Sequence, residues 1–125
     1  MADETSTSGT APSGPAGPVD LRALADEHLT KARNAAHERS AHLVLRSGPL
    51  RQSVIALLRG AALGEHESPV AASLQVLRGQ VRVTAESGTE LTLSQGHLGP
   101  VPAERHDLVA ITDAVVVLTT VTNVS

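Results

Sequence analysis

Two short stretches of this chain carry the side chains that could do chemistry: Glu65-His66-Glu67-Ser68 and Glu104-Arg105-His106. Imidazoles and carboxylates hold divalent metals, move protons and orient polar ligands. Side chains alternate between the faces of a strand. In an extended run His66 and Ser68 therefore share one face, and Glu65 and Glu67 share the other. With His66 turned inward, the flanking acids turn outward and cannot complete its coordination. Ser68 is a poor ligand for a divalent ion. His106 adds a second imidazole, but two neutral imidazoles alone hold a metal weakly, since stable catalytic sites use three protein ligands and an open position. The alternative is a pair of histidines that hydrogen-bond each other, water or a small ligand. A hydrolase triad can be drawn from Ser68, His106 and Asp107 or Asp113, but no Gly-x-Ser-x-Gly elbow supports it.

Composition narrows the partners. The chain has 125 residues, a single-domain length, with a net charge of −3 and no Phe, Tyr, Trp or Cys. Without aromatic platforms there is nothing for bases to stack on. The nine Arg and one Lys are scattered, so no basic patch favours nucleic acid. With no cysteine, disulfides and thiolate chemistry are excluded. The acidic, polar start Met1-Ala-Asp-Glu-Thr-Ser does not read as a signal peptide. No apolar run approaches the ~20 residues that cross a bilayer, so the expected location is the cytoplasm. The interior must be built from 16 Leu, 14 Val, 18 Ala and 2 Ile.

The elements that would position the histidines follow from periodicity. Residues 1–18 are a small-residue, Pro- and Gly-broken stretch, read as a disordered tail. Residues 19–40 hold a helix and a linker. Leu21, Leu24, Ala25, His28, Leu29 and Ala32 form one helical stripe over 20–37, with Asp20 as N-cap. From residue 41 to 125 the pattern is β. Strands are expected at 42–46, 51–59, 61–67, 72–78, 80–85, 89–94, 97–101, 105–111 and 114–122. Gln80-Val-Arg-Val-Thr84 alternates as a half-buried strand should, and Glu86-Ser-Gly88 reads as its hairpin loop. Ala114-Val-Val-Val-Leu118 is apolar throughout and suits a strand covered on both faces. Gly79, between two such runs, is expected to need positive φ. His28 reads as a packed residue on the stripe. His37, His42 and His97 read as solvated.

The spacing of these residues resembles the cupin family. The first cupin motif places Gly, His, His, Glu and Gly at set intervals. Gly60, His66 and Gly79 fall in that frame, while Ser68 and Ala72 stand at two of the ligand positions. The second motif is approximated by Gly96, Pro102 and His106, with Glu104 where the family has Gly and Ala110 where it has Asn. The wording is similar to a branch of small bacterial, RmlC-like cupins over about residues 43–122, for example Leu74-Gln-Val-Leu-Arg-Gly79 and Pro102-Ala-Glu-Arg-His-Asp-Leu108.

The resemblance implies a mainly β fold, a double-stranded β-helix or jelly-roll barrel preceded by one amphipathic helix. It also implies a pocket at the barrel mouth, lined by His66, Ser68, Leu74, Val76, Glu104 and His106. A stripped metal site at His66 and His106 suggests a small-molecule-binding module. The alternative is a metal-dependent enzyme of dioxygenase or isomerase type, with Fe, Ni, Mn or Zn held by His66, His106 and a third ligand. A purely structural dimerisation domain is a further alternative. The chain is also expected to form a homodimer, with the apolar helix face packing beside or across the interface.

Overall fold

The structure, a computed structural model, describes residues 17–64 and 71–122. Most of the expected tail, together with His66 and Ser68, lies outside those residues. Among the described residues no helix is long and apolar enough to cross a membrane.

Helix α1 spans Leu21–Arg33. Asp20 caps it as expected, its Oδ1 accepting the Ala23 N–H at 3.1 Å. The helix stops four residues before the expected end. Asn34 is the reason: its side-chain amide donates back to the Thr30 carbonyl, and its own N–H bonds the Lys31 carbonyl, which closes the last turn.

Among the described residues eight strands follow: β1 Arg39–Ser47, β2 Leu50–Leu57, β3 Ala71–Arg78, β4 Gln80–Ala85, β5 Glu90–Ser94, β6 Leu98–Pro100, β7 His106–Ala110 and β8 Ala114–Val121. A five-stranded sheet runs β1-β2-β8-β3-β6, and a three-stranded sheet runs β5-β4-β7. All the pairs are antiparallel. The result is the expected mainly β jelly roll. The expected strand 61–67 is not a strand in its described part. Residues 61–64 make one isolated bridge, Ala62 to Val109, between two positive-φ glycines, Gly60 and Gly64. The segment still lies beside β7, with the Gly60 N–H on the Ala110 carbonyl at 2.8 Å and the Leu63 N–H on the Leu108 carbonyl at 3.0 Å.

The two central strands of the larger sheet serve two cores at once. Ile55, Leu57, Ala114 and Val116 face inward and meet Leu74, Val76, Val81, Val83 and Leu108 between the sheets. Val54, Ala56, Val115 and Val117 face outward and meet Ala25, Leu29 and Ala32 of α1. Both faces of β8 are therefore covered, which is why its sequence is apolar without alternation. The helix stripe is also accounted for. Of the two covers the stripe could have, the outside of its own barrel or a partner subunit, the structure shows the first: it packs on the outer sheet, where Val54, Ala56, Val115 and Val117 would otherwise face water.

His28 joins the helix to β1. It is 4 % exposed, its Nδ1 lies 2.7 Å from Ser40 Oγ, and its ring stacks on His42 with centroids 5.4 Å apart. His42 is exposed as expected, but stacked. Burial holds the His28 imidazole below its ordinary value; Lys31 and His42 add to this, and Glu27 opposes it. The unfolded chain therefore binds this proton first as pH falls. Stability is full above the ordinary value of 6.5 and is lost as pH drops toward the depressed folded value. Melting temperatures taken on either side of that value should show the loss, and His28→Gln should shrink it. An unchanged pH slope in His28→Gln would remove His28 from this role.

Candidate functional site

His106 opens β7 and is 4 % exposed. The β7 pattern buries His106, Leu108 and Ala110 and half-exposes the residues between them, so the imidazole shares the inward parity. Its Nδ1 lies 2.8 Å from the Glu104 carbonyl. A carbonyl only accepts, so Nδ1 carries the hydrogen. In the neutral ring Nε2 then bears the lone pair.

The ring forms part of the wall of a cavity of ≈ 20 Å³, completed by Leu63, Leu74, Val83, Val101, Leu108 and Leu118. This is room for about one water-sized group. Among the described residues six aliphatic side chains surround one imidazole, and no carboxylate or cation reaches the wall. Such a space admits a methyl or a small polar group end-on, beside the imidazole.

Of the six residues expected to line the pocket, the structure brings Leu74 and His106 to one wall. His66 and Ser68 lie outside the described residues. Val76 is 1 % exposed and sits in the inter-sheet core beside the cavity, not on its wall. Glu104 is a correction. It is exposed, and its carboxylate accepts the Ser87 N–H at 2.7 Å and lies 3.2 Å from Ser87 Oγ. The β4–β5 hairpin loop leaves the Ser87 N–H without a ladder partner, and Glu104 caps it from outside the barrel.

Residues missed from the sequence are the aliphatic wall. Val83 shares parity with Val81, and Leu108 lies two residues after His106, so strand alternation was the available signal. Leu63 and Val101 sit in irregular segments and gave none. Asp107 also acquires a role. Its Oδ1 accepts the Gly64 N–H at 2.9 Å and the Leu108 N–H at 2.8 Å, which holds the chain entering residues 65–70 against β7. Asp113 accepts the Arg59 N–H at 2.8 Å. Both triad acids thus serve backbone donors.

A resident metal does not fit the described residues. Among them no three or more His, Cys, Asp or Glu side chains gather where an ion could be held. Ala72 offers no lone pair, and Glu104 points to the hairpin.

No family model matches the sequence, and no curated protein matches it. Solved structures do. A conserved protein of unknown function from Streptococcus pyogenes aligns over 97 % of this chain and 100 % of its own, at 19 % identity and TM-score 0.68. A cupin superfamily protein from Desulfitobacterium hafniense aligns over 68 % of this chain and 78 % of its own, at 16 % identity and TM-score 0.62. A salicylate 1,2-dioxygenase from Pseudaminobacter salicylatoxidans aligns over 86 % of this chain but 35 % of its own, at 17 % identity and TM-score 0.72. Together with the two antiparallel sheets and the inward histidine on β7, these likenesses identify the fold: the chain is a small cupin-fold protein.

Proposed function

We propose that the chain is a binding module for a small, largely apolar molecule, with His106 as its polar anchor and His66 as a second imidazole at the same pocket. One observation carries this reading: a buried histidine set in an otherwise aliphatic wall. The missing donors at Ala72 and Glu104 support it, because among the described residues they leave too few ligands for a stable catalytic metal. The cavity is small, so the bound molecule inserts one end beside the His106 ring rather than being wholly enclosed.

Elemental analysis of untagged protein tests the reading. Near-stoichiometric iron, nickel, manganese or zinc would overturn it. That result would favour a metal-dependent enzyme of dioxygenase or isomerase type using His66 and His106. The likeness to a dioxygenase fold is the observation on that side.

The histidine pair has its own test. If both rings meet one bound molecule, His66→Ala and His106→Ala are not independent. The double variant should lose less affinity than the two single losses added together. Isothermal titration with a panel of small ketones and alcohols measures this. Strictly additive losses would separate the two histidines.

A further inference from the structure

A second concavity lies outside the barrel, where the first turns of α1 approach the end of β3. Its volume is ≈ 410 Å³, against ≈ 20 Å³ for the barrel cavity, and it is lined by Leu21, Arg22, Ala25, Leu77, Arg78 and Gln95. That volume is in the range of small-molecule sites.

Three elements build it, and each is fixed by a separate device. The first is a β-bulge. Strict alternation along β3 would send Arg78 into the barrel with Leu74 and Val76. Instead the register with β8 slips: Val76 opposes Val116, yet Arg78 opposes Val115. The extra residue, Leu77, packs on the helix core, and Arg78 turns outward to pair with Asp26 of α1. Bulges that re-aim one side chain recur beside functional sites. The second device holds the β5–β6 loop. The Gly96 N–H donates to the Val76 carbonyl at 2.8 Å, and the Val76 N–H donates to the His97 carbonyl at 2.9 Å. Gln95 is thereby pinned over the end of β3. The third is α1 itself, whose burial of Ala25 fixes the turn that carries Arg22. Arg22 is exposed, and no ion pair or side-chain hydrogen bond engages it among the described residues.

The lining is half polar and half aliphatic. Arg22 and Arg78 bring two guanidinium groups, and Asp26 offsets only one of them. Leu21, Ala25 and Leu77 form the apolar part. We propose that this cleft binds a small organic carboxylate: the head between Arg22 and Arg78, the apolar body on Leu21, Ala25 and Leu77. A guanidinium fork matches the planar carboxylate, and the aliphatic floor selects an organic body over a bare inorganic anion. The proposal does not depend on the barrel site.

Titration with hexanoate, followed by backbone amide shifts in ¹⁵N-labelled protein, tests it. Saturable shifts are expected at Leu21–Ala25, Leu77–Gly79 and Gln95. Arg22→Gln and Arg78→Gln should each weaken binding about tenfold, the loss of one charge-assisted contact. Arg22 is exposed, and Arg78 is half-buried and paired with Asp26, so circular dichroism checks that both variants fold. His106→Ala should leave hexanoate binding unchanged. Hexanamide, which has the body without the charge, should bind far more weakly, and so should inorganic phosphate, which has charge without the body. Phosphate binding as tight as hexanoate would overturn the organic-carboxylate assignment. Absence of saturable shifts at millimolar hexanoate, or shifts confined to residues around His106, would overturn the site.

Discussion

Replacing Gly79 by alanine should leave the protein close to unfolding. Gly79 joins β3 to β4 at φ +76°, a conformation that side chains rarely adopt. That strain alone costs about 1–3 kcal/mol. The larger effect is contact. A Cβ here would lie 2.1 Å from the Asp113 carbonyl oxygen, 2.7 Å from Thr112 Oγ1 and 3.0 Å from Ala114 Cα. Two of those three atoms are backbone, so the turn before β8 would have to move. Thr112 Oγ1 also accepts the Gln80 N–H at 3.1 Å, and that bond would go with it. The combined loss should reach about 3–5 kcal/mol, a large part of the stability of an ordinary domain. Gly88→Ala is the control. Gly88 has φ +98° but nothing within 4 Å of an added Cβ, so strain acts there alone. Urea denaturation of both variants separates the two effects. Equal losses would mean that the approach of the Asp113 carbonyl is not what Gly79 accommodates.

Leu74→Ala should be the second large loss, at about 2–5 kcal/mol. Leu74 is 1 % exposed, opposes Leu118 of β8 and Gly99 of β6, and shares the cavity wall with His106. Truncation removes packing from both strands and enlarges an already apolar space. The aliphatic wall should keep the enlarged space dry and open to a guest. Benzene or xenon should therefore raise the melting temperature of the variant, because a guest that binds only the folded state stabilises it. Wild type, with room for about one water, should gain little. No rescue in the variant would show that the sheets collapse around the missing side chain.

Much of this architecture was legible because strand alternation is a local signal. The Gln80–Ala85 and Glu90–Ser94 strands alternate cleanly and pair as a hairpin. The run at Ala114–Leu118 declared a strand covered on both faces before the covering elements were known. Legibility failed where the backbone leaves its period. The bulge at Leu77 reverses the parity of Arg78, and nothing in Leu77-Arg78 announces it. Glu104 shares parity with His106 on paper, but residues 102–105 are irregular, so parity had no meaning there. The cavity wall was half visible. Inward residues of one strand could be read from alternation, but which of them meet across the sheets depends on long-range register.

That long-range register bears on how the chain is made. β8, near the end of the sequence, lies in the middle of the larger sheet, between β2 and β3. It contributes Ala114 and Val116 to the inner core and Val115 and Val117 to the core beneath α1. During synthesis, everything up to β7 can emerge from the ribosome without either core being closed. β2 and β3 must wait with unpaired edges for a strand that arrives last, and α1 must wait with them. Such non-local closure folds slowly, and its waiting intermediates expose apolar edges. A chain cut short before Ala114 should therefore be a client for chaperones and proteases rather than a smaller version of this barrel.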